Sequence, residues 1–414
     1  MQITNQDELS KFYLNFESFV LQECPVLTKN QTQFGKAFLS PLHCEITTFD
    51  YARCKNAIVA FQKLFASNDY QNELFALARP ENREVLQNLP NAPKASLFQA
   101  FDFHLGPSGP KLIEVNTNAG FGLGIFYLNQ FLKTQPTFWK NNFFQNPKIL
   151  EEYAKDFKSF FSADASALCI LDENPTEQAL YFEFLLFRDF LSKVGIDAII
   201  AAPEALSVAE STQSLIHTQS GKKISGVYNR STDFYLHRET HAAFKKALIS
   251  KTVFSSPHPL DFYLFADKQR MVDWNEVGFL KKFLGPDDQA AIEKVLLKTQ
   301  IVSAQNQSEL WAQRKALFFK PFESFGGKGV FQGRGVTKNV WEHICQHHYI
   351  AQEICPAPKV SLQVNGAEPQ EYKFDLRFFV YGSEIRFLAP RFYQGQTTNF
   401  RTPLGGFGAV CLLD

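Results

Sequence analysis

The stretch Phe101-Asp-Phe-His-Leu-Gly-Pro-Ser-Gly-Pro-Lys-Leu-Ile-Glu-Val-Asn116 decides how this chain is read. Apolar and polar residues alternate on both sides of Gly106-Pro-Ser-Gly-Pro110, a cluster suited to a tight turn. The spacing therefore predicts a hairpin of strands over 97–105 and 112–115. Pairing centred on Ser108 sets Asp102 opposite Glu114 and Ala100 opposite Asn116. Directly paired residues share a face, so Asp102, Glu114 and Asn116 gather on one side. Phe101, Phe103, Ile113 and Val115 take the other. Two carboxylates that close repel unless one is protonated or a cation sits between them. Two acids and an amide oxygen are hard ligands of the kind Mg²⁺ takes. The alternative is a solvated strand face, and a slip of one residue in register would scatter the cluster.

Working outward, Asn116 runs into Thr-Asn-Ala-Gly-Phe-Gly-Leu-Gly124. This glycine run follows a strand but lacks the third glycine and the acidic partner of a dinucleotide fingerprint. Further on, Phe319-Lys320-Pro321 leads into Gly326-Gly327-Lys328-Gly329. Backbone amides of such a loop can close on phosphate oxygens and its lysines can neutralise them, although no Walker A spacing is present. An ordinary glycine turn between strands is the competing reading. A second hairpin is expected over 372–380 and 385–389, turning at Gly382-Ser383. Alternation puts Leu376, Phe378, Val380, Ile385, Phe387 and Ala389 on one face, and Asp375, Arg377 and Arg386 on the other. Arg386, Arg391 and Arg401 then form a dense basic set, suited to carboxylate or phosphate, or else to a solvated rim holding an ion pair such as Asp375–Arg377.

The remaining chain supplies the frame. The first 90 residues read as helical, with Ile58, Val59, Phe61, Leu64 and Phe65 at helical spacing. Strands at 167–171 and 196–201 flank a helix that Thr176 can cap and Gly195 can end, with 227–230 closing a small α/β unit of parallel strands. Lys+Arg and Asp+Glu are both 42 in 414 residues, so no basic surplus points to a nucleic acid partner. No apolar run reaches the ~20 residues of a membrane span. The first residues carry no basic-then-apolar leader, and the seven cysteines (24, 44, 54, 169, 345, 355, 411) form no CxxC or zinc spacing. Reduced thiols in a cytoplasmic protein are expected. Phe, at 44 residues against 2 Met, is the main large core filler.

Phe101-Asp-Phe-His104 with Leu112-Ile-Glu-Val-Asn116 resembles the metal-binding segment of glutathionylspermidine-synthase-type, circularly permuted ATP-grasp ligases. Phe319-Lys320-Pro321 with Gly326-Gly327 resembles that family's phosphate-binding strand and loop. Tyr349-Ile-Ala-Gln-Glu-Ile354 with Pro356 resembles its adenine hinge, and Ala266-Asp-Lys268 the segment bearing its other ATP-contacting lysine. The motifs fall in the family's order over about 98–410, and the first 90 residues match none of it. The resemblance implies an α+β or α/β ATP-grasp fold with an antiparallel catalytic sheet. Its parts would be a helical region at 1–95, a metal-binding core part at 96–160, a small α/β unit at 161–250, and the lid with the remaining core at 251–414.

It further implies Mg²⁺ on Asp102, Glu114 and Asn116. ATP would lie against Lys268, Lys320, Gly326, Gly327, Lys328, Gly329, Gln352, Glu353 and Ile354. Arg391 or Arg401 would be the catalytic arginine. The reaction implied joins a small-molecule or peptide carboxylate to an amine through an acyl phosphate, with Tyr228, Asn229 and Arg230 toward the acceptor. One departure stands out. The family carries an arginine two residues before the first metal acid, and this chain has Ala100. A non-catalytic ATP-binding module and a kinase-like phosphotransferase are therefore the competing classes.

Overall fold

The computed structural model describes residues 6–28, 38–80, 82–83, 86, 96–135, 148–161, 166–323, 326–362, 368–400 and 402–414. A seven-stranded sheet organises the chain. Its order is Leu39–Thr47, Gly406–Leu413, Glu384–Tyr393, Gln370–Tyr381, Gln99–Gly106 and Gly109–Asn116, with Lys359–Leu362 added alongside Gln370–Tyr381.

The strand Leu39–Thr47 lies in the region expected to be helical. Leu42, Cys44 and Ile46 alternate inward there. However, the strand's partner is the distant Gly406–Leu413, paired in parallel, and Pro41 breaks the local pattern at what is a sheet edge. Helices do form at Gln6–Glu23, Thr48–Ala66 and Asn68–Ala76. Thr47 caps the second by accepting from the Asp50 amide, and Ser67 caps the third through Tyr70.

The two faces of the large sheet are covered differently. Phe101, Phe103, Leu376 and Phe378 pack under the helix Thr48–Ala66, with Phe61 and Phe65 both in ring contact with Phe101. On the opposite face, Ala100, Phe379, Phe387, Ala389 and Phe407 lie in a second core with the helix Gly122–Lys133. The glycine run that opens this helix serves packing. A Cβ on Gly122 would stand 3.1 Å from Phe387, and one on Gly124 would stand 2.5 Å from the Phe121 ring.

The long hairpin corrects one sequence expectation. Arg377 pairs with Ala389 and Phe379 with Phe387, so Phe387 and Ala389 share the face of Arg377. A register shift between Phe379 and Val380 is the reason, because strict alternation across the turn gives the opposite face.

A six-stranded sheet is built on the expected α/β unit. Ala198–Ala201, Ala167–Leu171, Lys223–Asn229 and Phe254–Ser256 are parallel, whereas Leu206–Val208 and Leu215–His217 add an antiparallel edge. A third, four-stranded sheet runs Thr299–Ile301, Tyr349–Glu353, Leu317–Pro321, Phe331–Gln332, all antiparallel. Among the described residues no helix is long and apolar enough to cross a membrane. All seven cysteines are free, and all but Cys345 are buried.

Candidate active site

The charged end of the large sheet faces the four-stranded sheet, and the first hairpin explains how. Its turn is the two-residue Pro107-Ser108, since Gly106 pairs with Gly109 and Phe103 with Leu112. Continued without interruption, that register would bring Asp102 opposite Ile113. Ile113 is instead an extra, bulged residue, and beyond it Asp102 pairs with Glu114 and Ala100 with Asn116. The bulged residue's carbonyl accepts from Lys320 Nζ at 3.0 Å. The same lysine donates to Gln352 Oε1 at 2.7 Å on the neighbouring strand. The irregularity that sets the acidic pair therefore also ties the two sheets together.

Around this point the carboxylates, amide and cations converge. Asn116 Nδ2 donates to Asp102 Oδ2 at 3.1 Å and to Glu114 Oε1 at 3.4 Å. Lys268 Nζ stands 3.9 Å from Glu114 Oε2. Burial by itself would raise the Glu114 carboxyl, but Lys268, Lys320, Arg391 and Arg377 reverse this and hold it at about 2. Lys320 is pushed down to about 8, because burial of its ammonium outweighs the pull of Glu114.

Asp102 is fully buried and receives two guanidiniums. Arg377 is bidentate on it (Nε to Oδ1 2.8 Å, Nη2 to Oδ2 2.6 Å), and Arg391 Nη2 adds a bond of 2.8 Å to Oδ2. Arg391 is itself bidentate on Asp375, which also accepts from Thr398. Burial pushes the Asp102 carboxyl up, and the two arginines offset only part of that rise.

The structure brings Asp102, Glu114, Asn116, Lys268, Lys320, Gln352 and Arg391 together. It also adds Arg377 and Asp375, which the sequence reading offered only as an ion pair of the alternative, solvated rim. The signal available for them was a stripe of alternating charge, Glu371, Lys373, Asp375 and Arg377, at every second position of the twelve-residue strand. Arg386 is not at the site, because Glu152 and Asp156 of the helix Ile149–Phe160 take its guanidinium. Arg401 lies outside the described residues.

Gly326, Gly327, Lys328 and Gly329 form an exposed turn in which the three glycines have positive φ (56°, 73° and 68°). Gly327 sits beside Thr397, so the turn reaches toward the segment after the long hairpin. Glu353 is exposed, and the backbone amides of Glu353 and Ile354 already donate to Lys298 and Ala316 carbonyls at 2.9 and 3.0 Å. Tyr228, Asn229 and Arg230 are buried, and Arg230 Nη1 is bonded to Asn118 in the loop after Asn116.

Ala100 explains the missing arginine in packing terms. It is fully enclosed, paired with Asn116 on one side and Phe379 on the other, where the charged end of the face gives way to the apolar core. An Ala100→Arg variant must bury an unpaired guanidinium against Phe379. It is expected to lose about 3 kcal/mol or more of stability in denaturant unfolding. Unfolding coincident with the wild type would show that the face is open at this point.

No family model matches the chain, and no curated protein matches it in sequence. Solved structures do match. A glutathione synthetase-like effector from Globodera pallida superposes with a TM-score of 0.54 at 13% identity, covering 91% of this chain and 90% of that one. A protein described as a candidate gamma-glutamylcysteine synthetase from Methylobacillus flagellatus gives a TM-score of 0.46 at 10% identity over 83% of each chain. The first of these shows the fold, a mixed α+β architecture consistent with the ATP-grasp-like arrangement expected from the sequence.

Proposed function

We propose that this chain is an ATP- and Mg²⁺-dependent carboxylate–amine ligase of the circularly permuted ATP-grasp type, with its core at 96–160 and 251–414. The observation that carries the reading is the convergence of Lys268 and Lys320 on Glu114, beside Asn116, where two sheets meet. Two buried cations this close favour an anion of more than one charge, and an ionised carboxylate with an amide oxygen suits a hard cation bridging to it.

The donor set fits Mg²⁺. Glu114 would hold it, Asn116 would join by turning its amide so that Oδ1 rather than Nδ2 faces the two acids, and Asp102 would enter the set by loosening its arginine bonds. When bound, the ion neutralises charge on the phosphates. Lys320 and Lys268 hold phosphate oxygens in place of their present contacts with Gln352, the Ile113 carbonyl and Glu114. The Gly326–Gly329 turn closes over them, and Gln352-Glu353-Ile354 borders the base. A carboxylate oxygen of the substrate attacks the γ-phosphorus and ADP leaves. An amine nitrogen then attacks the acyl carbon, phosphate leaves, and the nitrogen loses a proton. Arg391, aimed by Asp102 and Asp375, stabilises the oxyanion of that second step.

The sealed Ala100 favours one competitor, a module of the same fold that binds ATP without ligating. Two measurements separate them. Thermal melting should rise with a non-hydrolysable ATP analogue plus Mg²⁺ in a concentration-dependent way. ADP release should then be stimulated by some carboxylate and amine pair among amino acids, short peptides and polyamines, with the amide product seen by mass spectrometry. Melting stabilisation with no stimulated release selects the binding module. A stable phosphorylated product selects a kinase-like transfer. No stabilisation at millimolar nucleotide removes the ATP reading altogether.

A further inference from the structure

The N-terminal region has no counterpart in the sequence resemblance, yet it reaches the proposed nucleotide site at Glu323, through Arg79 and, at 3.4 Å, through the Asn82 amide. The helix Asn68–Ala76 is fastened to the segment that leads to Lys268. Tyr70 donates to the Leu264 carbonyl at 2.8 Å, and Tyr263 donates to the Leu74 carbonyl at 2.6 Å. Trp274 Nε1 closes the arrangement on Tyr70 at 3.2 Å. Just beyond this helix, Arg79 extends its guanidinium between two acids from distant parts of the chain. It donates to Asp267, the residue before Lys268, at 3.2 Å. It also donates to Glu323, three residues before Gly326. Its guanidinium lies 5.4 Å from the centre of the Phe322 ring.

The two segments are already in register with each other. The Lys268 amide donates to the Phe322 carbonyl at 3.2 Å, and Phe322 is buried with Val272 and Ile350. Phe322 follows Lys320 by two residues. One guanidinium therefore spans the two chain segments that carry both phosphate-directed lysines and the glycine turn. We propose that Arg79 is a positioning residue for nucleotide binding: it clamps Glu323, at the base of the glycine turn, to Asp267, at the base of Lys268. This rests on the reading of Lys268, Lys320 and the glycine turn as the phosphate site.

The two halves of the clamp differ in a way that makes it testable. Asp267 is wholly buried and keeps two other donors, the Tyr235 hydroxyl at 3.0 Å and the Gln269 amide at 3.0 Å. Glu323 is about a third exposed (35%), and an ion pair at such a rim contributes little to global stability. A purely structural role for Arg79 therefore predicts almost no effect from Glu323→Gln. A positioning role predicts a looser turn and weaker nucleotide binding in a protein that melts normally.

The experiment uses the full chain and the variants Glu323→Gln, Arg79→Met, Arg79→Lys and the double variant Arg79→Met/Glu323→Gln. In the nucleotide-free protein, amide exchange of peptides spanning 318–332 should quicken several-fold in Glu323→Gln with an unchanged melting midpoint. The Kd for a non-hydrolysable ATP analogue with Mg²⁺ should rise about five-fold or more in Glu323→Gln and in Arg79→Met. The double variant should be no weaker than Arg79→Met alone, because both changes cut the same contact, and Arg79→Lys should recover part of the loss. If Arg79→Met folds poorly, Glu323→Gln alone decides. Unchanged exchange and Kd in Glu323→Gln, against firm wild-type binding, overturns the clamp and leaves the phosphate site standing. Effects that multiply in the double variant also overturn it. A wild type that binds no nucleotide removes the phosphate-site reading and this role with it.

Discussion

A Lys320→Met variant is expected to keep a melting midpoint close to the wild type and to release ADP at least a hundred-fold more slowly. The first half follows from the environment of the ammonium. Its burial pushes the lysine down to about 8, so the fold already pays to keep it charged near neutrality, and methionine removes that cost while retaining most of the stem. The loss of two hydrogen bonds, to the Ile113 carbonyl and Gln352, works the other way. The second half follows from chemistry. A cation that strengthens its hold on transferring phosphate is worth a few kcal/mol in the transition state, and about 2.7 kcal/mol is already a hundred-fold in rate.

The pH dependence carries its own sign. Lys320 in the free protein loses its proton as pH rises through about 8, and only the ammonium attracts phosphate. Nucleotide affinity should therefore fall above about pH 8, by up to roughly ten-fold per pH unit. Lys320→Arg, whose charge persists, should flatten that profile. A Lys320→Met protein that melts much lower yet turns over ATP normally per folded molecule would make Lys320 structural.

Glu114→Gln is expected to lower turnover by a hundred-fold or more while the fold survives. The shape is kept, but the ionised oxygen facing Lys268 is gone, and with it the stronger of the donors that would hold Mg²⁺. A stability effect accompanies it. The folded carboxyl is held at about 2 against an ordinary 4.5, so its contribution is present above the unfolded value and is lost as pH falls from 4.5 toward 2. That contribution is of order 1–3 kcal/mol, reduced by partial exposure of the side chain. The wild type should therefore melt higher than the variant at neutral pH, and the gap should close on acidification. Turnover within a few-fold of wild type, or a gap independent of pH, would remove Glu114 from the proposed metal site.

Much of this site is legible in the sequence because its parts are local. The turn residues and the alternation of 101–116 place two acids and an amide on one face, and Asp102 does pair with Glu114. The reason, however, is not the symmetric turn that the spacing suggests. It is a two-residue turn plus a bulge at Ile113, and the two descriptions coincide only beyond the bulge. Where no local feature marked the irregularity, as between Phe379 and Val380, alternation gave the wrong face for Phe387 and Ala389. Composition likewise foretold a phenylalanine core but not which ring meets which.

The amino-acid sequence by itself determined the elements and the chemistry each could offer: acids at hairpin spacing, a lysine at a strand end before glycines, and charges at alternate positions of a strand. Only the tertiary structure decided which charges meet. Arg391 turned inward to Asp102 and Asp375 while Arg386, five residues earlier, went to Glu152 and Asp156 of the helix Ile149–Phe160. Lys268, Arg79 and Glu323 joined the site from three separate stretches. The physical reason is that alternation and turn propensity act over a few residues. A buried charge, by contrast, is tolerated only where the whole fold delivers its counter-charge, often from hundreds of residues away, and no local pattern records that delivery.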